Sequence, residues 1–190
     1  MQIPLLGEPR FPSPIGRAVD DALRVPEHVV YDPRSAPSAG LSFELAGPRD
    51  RLFFDPRQTR AGIVTCGGLC PGLNDVVHSL FLELHHAYRV REVLGYRGGS
   101  QGLGASPDDP PVVLDTDWVD SIHQQGGSVL GTSRGPVDVP EAVDQLIRRE
   151  VNILFTIGGD GTQRGANELA GQARARLPAG RGRDSQDHRQ

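Results

Sequence analysis

Residues 152–170 read NILFTIGGDGTQRGANELA. Ile153 to Ile157 form a nearly continuous apolar run, the pattern of a strand buried on both faces of a parallel sheet. GGDGT supplies a turn, and Thr162 to Ala170 are predicted as a helix. The same arrangement occurs earlier in the chain. AGIVT (61–65) is a short β-prone run, CGGLCPGLN (66–74) is a glycine loop, and a helical pattern follows. In that pattern Val76, Val77, Leu80, Phe81, Leu84 and Tyr88 share one face. Asn74 is the expected N-cap, with Asp75 complementing the positive end of the helix dipole.

The remaining segments alternate in the same way. Val90 to Gly95 predicts a strand that runs into a glycine-rich loop. Val112 to Leu114 predicts a short strand, and Asp117 to Gln125 a short helix that ends at Gly126 and Gly127. Ser128 to Leu130 predicts a brief strand leading into GTSRG. Pro140 marks a helix start, with Val143, Leu146 and Ile147 on one face. Strands alternating with helices place the chain in the α/β class, as a three-layer Rossmann-like parallel sheet with helices on both faces. The strands near 62–66 and 153–157 are expected to be parallel neighbours or nearly so. Their loops, CGGLCPGLN and GGDGT, then open on one edge, where such sheets bind ligands. GTSRG is the third glycine loop after a strand.

Composition narrows the chemistry. All 20 basic residues are Arg, and the chain has no Lys. A Walker A loop and Schiff-base catalysis both need Lys, so both are excluded. Phosphate handling must then use Arg, backbone N–H groups and a metal. A net charge of -4 does not suggest a nucleic-acid surface. No apolar run reaches the ~18 residues of a membrane span, and MQIPLLGEPRFPSPIGR has no signal-peptide core. The expectation is a cytoplasmic protein with no membrane or nucleic-acid partner. Cys66 and Cys70 are the only cysteines, and they read as reduced packing residues rather than metal ligands.

Each loop admits a functional and a plain reading. Gly67, Gly68 and Gly72 let the backbone approach a nucleotide phosphate beside a helix N-terminus, or they simply make the turn. Asp160 can hold Mg²⁺ together with phosphate oxygens, or it only caps its helix. Arg134 can form paired hydrogen bonds to a phosphate and stabilise charge during transfer, or it is a solvated loop residue. His85–His86 and Arg148–Arg149 read as helix-surface residues.

Three segments are expected. Residues 1–58 form an extension, mostly loop, with local strand around Leu41 to Leu45. Residues 59–170 form the nucleotide-binding α/β domain. Residues 171–190, GQARARLPAGRGRDSQDHRQ, form an Arg-rich tail that cannot supply another buried strand and reads as disordered or out of frame.

TCGGLCPGLNDVV, LGTSRG and NILFTIGGDGTQRGA, in that order, resemble the three N-terminal signatures of the ATP-dependent 6-phosphofructokinase family. The resemblance runs from about Phe43 to Leu169. FFDPRQTRAGIVTCGG points to the branch with plant ATP-using enzymes and bacterial relatives. The resemblance implies transfer of the ATP γ-phosphate to the 1-hydroxyl of fructose 6-phosphate, a step of glycolysis, in homo-oligomers. It also implies roles for single residues. Gly68 contacts the nucleotide phosphates. Arg134 and Gly135 line the nucleotide site, with Arg134 stabilising the transition state. Gly159, Asp160, Gly161 and Thr162 cradle the phosphates, with Asp160 on Mg²⁺. Glycine at 161 goes with ATP, and aspartate there with pyrophosphate. The family's Thr-x-Asp-Asn-Asp segment, which carries the catalytic base, and its sugar-phosphate domain have no counterpart here. The chain therefore reads as an N-terminal portion, incomplete at the C-terminus. Two other functions are a nucleotide-binding fragment without catalysis, and a lipid or NAD kinase, since those families also carry GGDGT.

Overall fold

The computed structural model describes residues 6–16, 18–28, 41–104 and 110–176. The chain divides into two compact units, Met1–Asp55 and Pro56–Gln190. The division falls at Asp55, ahead of the boundary expected at residue 58.

The first unit has two short antiparallel pairs. Strand β1 (Phe11–Pro12) pairs with β4 (Arg51–Leu52), and β2 (Arg24–Pro26) pairs with β3 (Ser42–Glu44). The strand expected near Leu41 to Leu45 is β3. None of the unit's described residues is buried, so polar ties replace a core. Arg49 donates to the carbonyl oxygens of Leu45 and Val19, and its guanidinium lies 3.2 Å from Asp21.

The second unit is built on a four-stranded sheet in the order β7-β6-β5-β8. Strand β5 (Arg60–Thr65) is central. It pairs in parallel with β6 (Glu92–Tyr96) on one side and β8 (Ile153–Ile157) on the other. Ala61 sits opposite Ile153, and Thr65 opposite Ile157, so the two strands expected to be parallel neighbours are paired directly. Strand β7 (Val112–Leu114) runs antiparallel to β6 and makes the sheet mixed at that edge. After β6 the chain passes through a 3₁₀ turn at Gly99–Leu103.

Alternation along β5 separates two cores. Ala61 and Ile63 point to one face and pack with Val77, Phe81 and Leu84 of the segment that begins with helix α1 (Leu73–Leu82). Val64 and Cys66 point to the other face. There they meet Ala142 and Val143 of α3 (Val139–Arg148) and Leu169 of α4 (Asp160–Arg176). Helices on both faces of the sheet complete the three layers. Helix α3 is capped by Asp138, whose carboxylate accepts from the Glu141 N–H at 3.0 Å.

Several local expectations are corrected. Asn74 lies inside α1 rather than capping it. Gly72, at φ 85°, holds the cap position. Val76 faces out, 43% exposed. After Leu82 the helix widens into a π turn over Glu83–Ala87. The expected 117–125 helix divides into α2 (Thr116–Val119) and a 3₁₀ turn at Ile122–Gln124. Ser128 to Leu130 form a turn, closed by the Gly131 N–H on the Ser128 carbonyl. Strand β8 is an edge strand among the described residues, and each of its residues is only partly buried. Helix α4 runs to Arg176, past the end expected at Ala170. Ala173 packs on the core, and Arg176 reaches the Pro140 carbonyl and the Asp144 carboxylate. The rest of the expected tail, from Leu177 on, lies outside the described residues.

Tyr96 is fully buried, and its hydroxyl has no partner among the described residues. Burial pushes its pKa up to about 12, against the opposing pull of Arg149 and Arg60. Above pH ~10 the unfolded phenol loses its proton while the native one keeps it, so stability falls as pH rises toward 12. Tyr96→Phe is expected to remove that alkaline slope and to cost less than about 1 kcal/mol at pH 7, because no hydrogen bond is lost. Denaturant melts at pH 7, 10 and 11 check this. A variant that keeps the wild-type slope would contradict it.

Candidate nucleotide site

The carboxyl ends of β5 and β8 are tied together by the Cys66 N–H, which donates to the Ile157 carbonyl at 2.8 Å. Both following loops therefore open on the same edge of the sheet. The GTSRG loop is drawn into this edge by side-chain hydroxyls. The buried Thr65 Oγ1 donates to the Gly131 carbonyl at 2.6 Å. Thr132 Oγ1 donates to the Gly67 carbonyl at 2.6 Å, and the Gly67 N–H donates to the Ser133 carbonyl at 3.1 Å. As a result, the Arg134 guanidinium lies across Gly68. A Cβ built on Gly68 would stand 2.7 Å from Arg134 Nη2. Only glycine lets the cation approach the backbone so closely.

A cleft of ≈ 650 Å³ opens over these loops. Gly67 and Gly68 line it from the first loop, Arg134 and Gly135 from the second, and Gly159, Gly161 and Thr162 from the third. Gly68, Arg134, Gly135, Gly159, Gly161 and Thr162, singled out in the sequence, thus converge on one cavity. Asp160 does not line it. Asp160 occupies the first turn of α4, exposed, with its carboxylate free of hydrogen bonds and ion pairs among the described residues. One free carboxylate between two cleft-lining glycines fits Mg²⁺, which keeps its waters and takes one or two carboxylates with phosphate oxygens. No group of three or more His, Cys, Asp or Glu side chains able to hold a metal occurs among the described residues.

Gly161 and Thr162, in the first turn of α4, line the opening, and a helix start carries N–H groups without intrahelical partners and the positive dipole end. Arg134 adds a full positive charge. The cleft floor is apolar where Val64, Leu103 and Leu169 line it. Cys66 also lines it, and burial pushes its thiol pKa up, with only partial relief from a backbone hydrogen bond at Ser100. Burial therefore disfavours the reactive thiolate at Cys66. The arrangement suits an anionic phosphate chain at the rim, with a flatter, less polar group beside it.

A fourth loop, not singled out in the sequence, joins the site. Ser100 and Leu103, from the glycine-rich segment after β6, line the cleft as well. This segment interlocks with GTSRG. The Gly98 N–H donates to the Leu130 carbonyl at 2.8 Å, and Gly99 packs against Ser133, leaving no room for a Cβ. GGSQG follows a strand end as the other loops do, and that is the signal by which it can be found. Arg164 and Gly165, one turn into α4, also line the cleft. Their position is legible only once the helix is placed.

The family profile described as Phosphofructokinase matches residues 60–179. The chain is 50% identical over 161 residues to the ATP-dependent 6-phosphofructokinase of Trypanosoma cruzi, covering 79% of this chain and 33% of that protein. It is 43% identical over 190 residues to the enzyme of the same name from Amycolatopsis methanolica, covering 93% of this chain and 41% of that one. Relatives so named also include a plant protein, from Arabidopsis thaliana. The chain therefore spans about a third to two-fifths of the curated relatives it matches. Among solved structures, Pichia pastoris phosphofructokinase in the T-state superposes with a TM-score of 0.56 at 21% identity, over 72% of this chain and 16% of that one, which supports the fold. With three loop signatures gathered on one sheet edge and a family match across the whole sheet, the chain belongs to the phosphofructokinase family.

Proposed function

We propose that this chain forms the nucleotide-binding part of an ATP-dependent 6-phosphofructokinase, whose reaction passes the ATP γ-phosphate to fructose 6-phosphate. The observation that carries this reading is the Arg134 guanidinium lying across Gly68 in the cleft that Gly159, Gly161 and Thr162 also line. Phosphoryl transfer needs little covalent help from a protein. It needs alignment of the reactants and stabilisation of charge spread over the moving phosphoryl oxygens. Gly67 and Gly68 give backbone access to the phosphates, and the α4 N-terminus offers N–H donors. Arg134 can bind a phosphoryl group through paired hydrogen bonds that strengthen as charge builds. Asp160 would hold Mg²⁺, which neutralises phosphate charge when bound.

In this reading Gly159 to Thr162 cradle the phosphates, and Gly68 and Gly135 keep the loops clear of them. Residues 59–170 are the functional domain, acting in the cytoplasm within a homo-oligomer. The catalytic base and most acceptor contacts would come from the part of the relatives that this chain does not span. The 190-residue chain by itself is accordingly expected to form no measurable fructose 1,6-bisphosphate from ATP, Mg²⁺ and fructose 6-phosphate. Robust turnover in that assay would place the catalytic residues within this chain and contradict the reading.

Gly161 tests the choice of donor. A Cβ there would meet nothing within 4 Å, so the fold does not demand glycine at this position. The wild-type chain is expected to bind ATP–Mg²⁺ and to bind pyrophosphate poorly. Gly161→Asp should keep its melting temperature yet bind ATP at least about tenfold more weakly, because a second carboxylate faces the phosphates. Calorimetric titration checks this, and unchanged ATP affinity in the variant would refute the assignment.

A further inference from the structure

Asn74 stands one residue into α1, just past the phosphate loop, and is 3% exposed. Its side chain reaches away from its own helix. Nδ2 donates to the Gln125 carbonyl at 2.7 Å, and Oδ1 accepts from the Val129 N–H at 2.9 Å. One amide thus holds both ends of the segment that leads into GTSRG. Between those ends lie Gly126 and Gly127, where an added Cβ would meet nothing within 4 Å. Among the described residues, no other side chain hydrogen-bonds to the backbone of Gln125, Gly126 or Gly127. The glycine pair therefore relies on Asn74 for its polar attachment to α1.

Beyond Val129 the connection continues without a break. Ser128 Oγ lies 3.0 Å from Thr65 Oγ1, Thr65 holds Gly131, and Thr132 holds Gly67. Arg134 follows, across Gly68. We infer that Asn74 is a positioning residue for Arg134: it fixes the Gln125–Val129 segment against the helix of the phosphate loop and so sets where the guanidinium rests. This rests on the nucleotide reading of the cleft. The amide offers the Gln125 carbonyl a donor and the Val129 N–H an acceptor at once. Aspartate keeps the acceptor and loses the donor, and leucine has neither. Either change leaves a buried backbone group without its partner.

The test uses the full 190-residue chain as wild type, Asn74→Asp and Asn74→Leu. Val77→Ala is the control, since it opens a cavity in the core under the same helix and removes none of the hydrogen bonds that hold the loop. Amide hydrogen exchange without ligand reads the anchor, and calorimetry with ATP–Mg²⁺ reads its consequence. Both Asn74 variants are expected to exchange about tenfold faster from Ser128 to Gly135. They should bind ATP about tenfold more weakly, and this loss should vanish in an Arg134→Ala background, where no guanidinium remains to be placed. Val77→Ala should lower the melting temperature and show neither effect. Three results would overturn the proposal: unchanged exchange over 128–135 in both Asn74 variants, the same change in Val77→Ala, or an affinity loss that persists undiminished without Arg134. Failure of the wild type to bind ATP would instead contradict the nucleotide reading, and exchange would still decide whether Asn74 anchors the loop.

Discussion

Replacing Arg134 with alanine is expected to weaken ATP–Mg²⁺ binding about a hundredfold while leaving the fold intact. The size follows from losing two charge-assisted hydrogen bonds to phosphate. The intact fold follows from position. Arg134 is exposed, and its guanidinium has no hydrogen bond or ion pair among the described residues. Its loop is held by Thr65, Thr132 and the Gly67 N–H instead. Arg134→Lys should recover only part of the affinity, because an ammonium offers a point charge without the planar fork. Calorimetry on the three proteins measures this. An alanine variant within twofold of wild type would mean that the guanidinium does not touch the nucleotide.

Gly158→Ala is expected to be a damaging single-methyl change at the turn after β8, at about 2 kcal/mol of stability and roughly 5 °C in Tm. A Cβ at Gly158 would lie 2.8 Å from the Cys66 carbonyl oxygen and 2.8 Å from Thr162 Cβ, and against Thr162 Oγ1. The Thr162 side chain can rotate, but the Cys66 carbonyl belongs to the end of the central strand region and cannot move aside. Gly159→Ala is the matched control, since a Cβ there meets nothing within 4 Å. Equal melting temperatures for the two variants would show that the turn after β8 relaxes more easily than its packing implies.

Much of this architecture is legible in local pattern. Two apolar runs ending at glycine loops are enough to expect β5 and β8 as parallel neighbours, because strands buried on both faces carry a continuous apolar signal. The loop residues Gly68, Arg134, Gly135, Gly159, Gly161 and Thr162 come instead from the resemblance of the three loop motifs to the family's signatures. Other features depend on tertiary contacts that leave no local mark. Asn74 has the composition of an N-cap, yet the helix starts at Gly72 and the amide serves a distant segment. Ser128 to Leu130 carry β-prone residues, yet hydrogen bonds to Thr65 and Asn74 fold them into a turn. The apolar run of β8 suggests full burial, but among the described residues it pairs only with β5 and stays partly exposed. Alternation of elements implies parallel strands throughout, yet the register of β7 on β6 is antiparallel. The extent of α4 is set by Ala173 on the core and Arg176 on Asp144, partners that no helical period announces.

The most direct measurement is a titration of the isotopically labelled 190-residue chain with ATP–Mg²⁺, followed by backbone amide resonances. If the cleft is the nucleotide site, the amides of Gly67, Gly68, Ser133, Arg134, Gly135, Gly159 and Gly161 should shift together along one binding curve. Those of β1 to β4 should stay where they are. Shifts confined to a single loop, or no shifts along this edge at saturating ATP, would contradict a shared site.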